Sequence, residues 1–207
     1  MGKTWLVREL ARVSSLRLLE LNFERNPEFR KLFSSNSPSR MFDEVCIQLG
    51  SSASPEECLL FLDEIQSAPE LLAKLRWFAE EMPELAVVAA GSLLDFALAK
   101  MLHSVPVGRI RYGYVEPLNF PEFLAAHGQD DLLKRWSGWA PGAEVTPALH
   151  GKSLEWFDRY QMNGGMPAVV SADVRGAEAA ECRQIQRDLI QTYRDDFAKY
   201  AGQMDPL

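Results

Sequence analysis

At 207 residues and 47% hydrophobic content, the chain can bury one core of domain size and a smaller appendage. A net charge of −7 excludes the general basic footprint of a nucleic-acid binder, and no apolar run approaches the roughly 18 residues of a membrane-spanning helix. The three cysteines, Cys46, Cys58 and Cys182, lack C-x-x-C spacing and read as buried free thiols, while His103, His127 and His150 are too dispersed to suggest a metal site. No signal peptide is evident, so the expected compartment is the cytoplasm, with no membrane association.

Gly2-Lys3-Thr4 opens the chain. This is the second half of the phosphate-binding pattern G-x-x-x-x-G-K-[ST], in which backbone N–H groups and the Lys meet nucleotide phosphates and the hydroxyl ligates Mg²⁺. Trp5, Leu6, Val7, Leu10, Ala11 and Val13 follow at helical spacing, which puts the tripeptide at a helix N-terminus, where free N–H groups attract an anion. Taken alone, the tripeptide also reads as an ordinary helix cap. The first half of the loop and the strand that feeds it are expected upstream of Met1. Leu18 to Phe23 alternates as a strand, and helical stretches are expected from Pro27 to Leu49.

Leu59-Leu60-Phe61-Leu62 suits a strand buried on both faces of a parallel sheet, with Asp63 and Glu64 at its carboxyl end. This is a Walker B pattern, in which an Asp placed like Asp63 helps hold Mg²⁺ and a Glu placed like Glu64 orients or deprotonates the attacking water. A core strand that simply ends in polar residues is the alternative. A helix is expected over Pro69 to Glu81, then a strand over Leu85 to Ala90 ending in Gly91-Ser92. Ser92 lies where a sensor residue would meet the γ-phosphate, and it can equally cap a helix over Leu93 to Lys100. Arg109 to Val115 is read as a further strand closing the core.

Beyond it the pattern is helical at Pro121 to His127, Asp130 to Trp136, Pro147 to Gln161 and Gly176 to Ala201, with a Gly- and Pro-rich loop between Ser137 and Pro147. Strands alternating with helices, then helices alone, predict an α/β parallel sheet sandwiched by helices and followed by a helical region. Gly164-Gly165-Met166-Pro167 reads either as a hinge or as a helix-ending turn.

Seven segments in this order carry a family resemblance: Gly2-Lys3-Thr4, residues 59–66, 89–94, 106–109, 117–124, 164–167 and 193–200. Together they resemble the prokaryotic AAA-type P-loop ATPases that carry a C-terminal DUF4143 domain. The resemblance implies a P-loop NTPase core over residues 1–118, truncated at its start, and a helical lid region over 119–207 leading toward a further domain. It implies ATP and Mg²⁺ as cofactors, with Gly2, Lys3, Thr4 and Asp63 binding nucleotide and Thr4 and Asp63 holding the metal. Glu64, Ser92 and Arg109 form the catalytic set, Arg109 as an arginine finger reaching a neighbouring subunit in a homo-oligomer. Arg111 is a rival for that role, and a structural or solvated arginine is the alternative for Arg109. The expected activity is hydrolysis of Mg-ATP to drive a conformational change on a protein partner that the residues do not identify. The alternative is a remnant that serves as an interaction module without turnover.

Overall fold

The computed structural model describes residues 2–91, 109–140 and 142–201. They form two compact units, Met1–Val115 and Glu116–Leu207.

In the first unit β1 (Arg17–Asn22), β2 (Cys58–Asp63) and β3 (Ala86–Ala90) make a parallel sheet in the order β1-β2-β3. Helix α1 (Lys3–Val13) precedes β1, α2 (Pro38–Leu49) lies between β1 and β2, and α3 (Leu75–Glu81) between β2 and β3. All six residues of β2 are buried, as its unbroken apolar run predicts for a central strand. Successive side chains of a strand point to opposite faces, so β2 feeds two cores. Leu60 and Leu62 join Leu21, Phe23, Met41, Val45 and Phe78 on the side of α2 and α3, while Leu59 and Phe61 pack against Val7 and Ala11 of α1. Each fully buried Leu or Phe contributes about 1.5–3 kcal/mol of transfer free energy, so this sandwich is what positions the strand ends.

The stretch expected to be helical from Pro27 to Leu49 divides. A 3₁₀ helix covers Pro27–Phe33, and α2 begins at Pro38. A residue before proline avoids helical ψ, and Ser37 is accordingly extended at φ −95°, ψ 118°. Lys74 pins the break, its ammonium donating to the carbonyls of Phe33 at 2.5 Å and Ser35 at 2.7 Å. The helix expected over 69–81 likewise starts as a 3₁₀ turn, Pro69–Lys74, before α3.

Residues 109–115, read above as a closing strand, form no strand. Alternation supplies two faces, but a strand also needs a neighbour to pair its N–H and C=O groups. Among the described residues no strand pairs with this segment, and Tyr114 is left 72% exposed. The expected helix over Leu93–Lys100 falls outside the described residues.

The second unit is helical: α4 (Phe120–Ala126), α5 (Asp130–Ser137), α6 (Pro147–Asn163), α7 (Pro167–Val174) and α8 (Ala179–Ala201). Helix α7 has no counterpart in the sequence reading. Its residues Val169, Val170 and Ala172 are buried with Asp173 on several sides, so no apolar stripe of helical period marks it. Gly164 ends α6, its N–H donating to Tyr160 O at 2.7 Å, and the Gly165 carbonyl accepts from Leu118 N at 2.7 Å. A Cβ on Gly165 would lie 1.8 Å from Leu118 O, so this close approach requires glycine. The Gly-Gly-Met-Pro segment is thus a helix-ending turn packed on the backbone that leads into α4. Asp173, 6% exposed, accepts from Arg159 Nη2 at 2.7 Å and from His127 Nε2 at 2.9 Å, and His127 Nδ1 lies 2.8 Å from Phe123 O. Among the described residues no helix is long and apolar enough to cross a membrane.

Candidate functional site

The carboxyl edge of the sheet gathers the residues that carry chemistry. The parallel register sets Asn22 beside Asp63 and Asp63 beside Ala90, so three strand ends finish level. Gly2 caps α1 in the left-handed region at φ 95°, and no side chain caps the helix. The first N–H groups of α1 therefore stay available to an anion, next to the positive end of the helix dipole.

Asp63 is 4% exposed and sits at the centre. Its Oδ2 accepts from the Thr4 hydroxyl at 3.2 Å and from Asn22 Nδ2 at 3.1 Å. A buried carboxylate needs such donors, because removing it from water unpaired is costly. The Thr4 contact spans 59 positions of sequence and joins the Gly-Lys-Thr segment to the strand-end acid. Asn22 is held in turn, its Oδ1 accepting from Arg25 N at 2.8 Å. Lys3 is half-buried one residue before Thr4, and among the described residues no hydrogen bond or ion pair engages it.

Glu64 follows Asp63 in the left-handed region, at φ 53° and ψ 44°. For a residue other than glycine such a conformation costs about 1–3 kcal/mol and persists where the surroundings over-determine it. The Glu64 carbonyl accepts from Ser67 N at 3.0 Å and starts the 3₁₀ turn Ile65–Ser67. Its carboxylate accepts a hydrogen bond from Gln66 Nε2.

The structure thus brings together Gly2, Lys3, Thr4, Asp63 and Glu64 of the expected set. Arg109 is elsewhere. It donates to Glu80 Oε1 at 3.4 Å, and Arg76 donates to the same oxygen at 2.9 Å. The Arg76 hydrogen bond, and behind it that of Arg109, holds the Glu80 carboxyl below its usual range. Because α3 runs back from the carboxyl end of β2 to the start of β3, Glu80 and Arg109 lie toward the opposite end of the sheet from Asp63. Ser92 falls outside the described residues. Asn22 and Gln66 were not singled out in the sequence. A polar residue closing an apolar strand at the edge where ligands gather was the available signal for Asn22.

Residues 1–124 match the family described as AAA domain. The chain belongs to this family. The AAA domain thus covers the sheet, α1 and the clustered residues, and the three-stranded parallel sheet with helices on both faces fits its α/β, P-loop-like architecture. Membership in it points to an ATPase-like, nucleotide-binding function, with Mg²⁺ the metal such domains generally use. Residues 154–207 match a domain of unknown function, DUF8612, where the sequence resemblance named DUF4143. No curated protein and no solved structure matches the chain.

Proposed function

We propose that the protein containing this AAA domain binds Mg-ATP at the carboxyl edge of the sheet and hydrolyses it, using the helical region after residue 118 as a lid that passes the change to a protein partner. The observation that supports this reading is the hydrogen bond between Thr4 and Asp63, which unites the hydroxyl and the acid of two motifs far apart in sequence. The α1 N-terminus and Lys3 would take the phosphates, since N–H dipoles and an ammonium both favour negative charge there. Thr4 Oγ1 and the Asp63 carboxylate are hard oxygen donors, the kind Mg²⁺ prefers, so the residues present fit that ion. When bound, Mg²⁺ neutralises charge on the phosphate oxygens. Glu64 would orient the attacking water and accept its proton. Ser92 is proposed to meet the γ-phosphate.

Arg109 is proposed to act on the site of a second copy. Its pairing with Glu80 is solvent-exposed, hence weak, and would yield to a phosphate. That role requires a homo-oligomer. The cytoplasm, where ATP is abundant, is the proposed compartment.

The test is nucleotide titration and turnover in the natural protein. Glu64→Gln should keep ATP affinity and lose hydrolysis by roughly 10² to 10⁴, because the amide keeps size and hydrogen bonding but cannot take a proton. Lys3→Ala should weaken binding of a fluorescent ATP analogue. Equal affinity in Lys3→Ala and wild type removes the phosphate site from α1. Binding without turnover, unchanged by Glu64→Gln, leaves a nucleotide-responsive interaction module.

A further inference from the structure

The geometry points to Gln66 as the residue that positions the Glu64 carboxylate, with Gly91 as the gap that lets it do so. This inference rests on the hydrolytic reading of Glu64 given above. Gln66 lies in the short turn after Glu64, and its Nε2 donates to Glu64 Oε2. A carboxylate can only accept, so the amide nitrogen must face Glu64 and the amide oxygen must face away. That oxygen is buried and has no hydrogen-bond partner among the described residues. It rests instead on Gly91, at the end of β3, where an added Cβ would lie 2.0 Å from it.

An unpaired buried acceptor is a cost that a side chain chosen only for packing would avoid. Leu or Met would fill the same space without it. What the amide supplies in return is a directed donor on one oxygen of Glu64, which leaves the other oxygen, Oε1, to take the proton of water. The left-handed backbone at Glu64 already limits where its side chain can go, and the amide removes the remaining freedom. Gly91 is needed for a second reason. It directly follows the neighbouring strand, so Gln66 also ties the orientation of Glu64 to the residue just before Ser92.

The glycine provides an unusual control. A Cβ there meets the far end of a flexible side chain and no backbone atom closer than 3.7 Å, so Gly91→Ala should expel the Gln66 amide while leaving the sheet in place. Three variants of the natural protein are compared with wild type: Gln66→Ala; Gln66→Glu, which keeps size but cannot donate as a carboxylate; and Gly91→Ala. Thermal melts check folding, and MgATP affinity and kcat are measured separately. Misplacing a reacting group by about 1 Å costs up to about 10²-fold, so each variant should lower kcat by roughly 10- to 100-fold with MgATP affinity within about 2-fold of wild type. The double variant Gln66→Ala/Gly91→Ala should be no slower than Gln66→Ala, because both changes remove the same contact.

Wild-type kcat in Gln66→Glu would mean that the side chain only fills space. Additive losses in the double variant would mean that Gly91 acts independently of Gln66. Either result overturns the inference while leaving Glu64 in place. Wild-type hydrolysis no faster than that of Glu64→Gln overturns the hydrolytic reading itself, and the role of Gln66 with it.

Discussion

Replacing Asp173 by Ala should be among the most damaging single changes in the second unit, although no motif marks the residue. The carboxylate accepts through Oδ2 from Arg159 Nε at 3.0 Å and His127 Nε2 at 2.9 Å, and through Oδ1 from Arg159 Nη2 at 2.7 Å, with Arg159 Nε shared between the two oxygens at 3.2 Å from Oδ1. The two donors differ in what they lose. The His127 side chain is 5% exposed, so its N–H would be left buried without an acceptor, a loss of about 1–3 kcal/mol. The Arg159 side chain is 40% exposed and can turn to water, so its share should stay below about 1 kcal/mol. Together these give a destabilisation of about 1–4 kcal/mol, which in a unit of this size lowers Tm by roughly 4–30 °C.

The same residue sets a pH dependence. Burial by itself would raise the Asp173 carboxyl, but the hydrogen bonds from Arg159 and His127 outweigh it and hold the group below the usual carboxylate range. With the folded value below the unfolded one, the stabilisation is complete above the ordinary Asp value of about 3.9 and is lost as pH falls through the lowered folded value. The gap in Tm between wild type and Asp173→Ala, followed by calorimetry, should hold steady from about pH 7 to 5 and close below about pH 4. A gap under about 2 °C at neutral pH, or one that widens in acid, would refute the account of the network.

Gly165→Ala must push the turn off Leu118, because the new Cβ would lie 1.8 Å from Leu118 O. Losing the Leu118 N–H bond to Gly165 O and the Tyr160 hydroxyl bond to Leu118 O should cost about 1–3 kcal/mol, visible in urea denaturation as a lower midpoint with unchanged slope. Asn22→Ala removes the amide that orients Asp63, and the Mg²⁺ concentration needed for half-maximal ATP binding should rise about 10-fold or more. An unchanged Mg²⁺ titration would detach Asn22 from the metal-holding role proposed for Asp63.

Local signals made much of the first unit legible. The unbroken run Leu59 to Leu62 demanded burial on both faces, which only a central strand of a covered parallel sheet provides, and the alternation of strands with helices implied the crossovers. Gly-Lys-Thr ahead of an apolar helical stripe and the acids closing β2 each named their own end of the site. Their meeting at 3.2 Å was decided by the tertiary structure alone, because register across parallel strands and the tilt of α1 depend on packing between segments distant in sequence. The same holds for what was missed. Residues 109–115 had the alternation of a strand but, among the described residues, no strand to pair with, and pairing is a property of the sheet. Helix α7, apolar on several sides, carried no period to read. Gln66 and Asp173 look like ordinary polar residues in a linear sequence. Their surroundings distinguish them: a glycine just after the adjacent strand for one, a histidine that ends α4 and an arginine of α6 for the other, each brought close by the burial of apolar side chains around it.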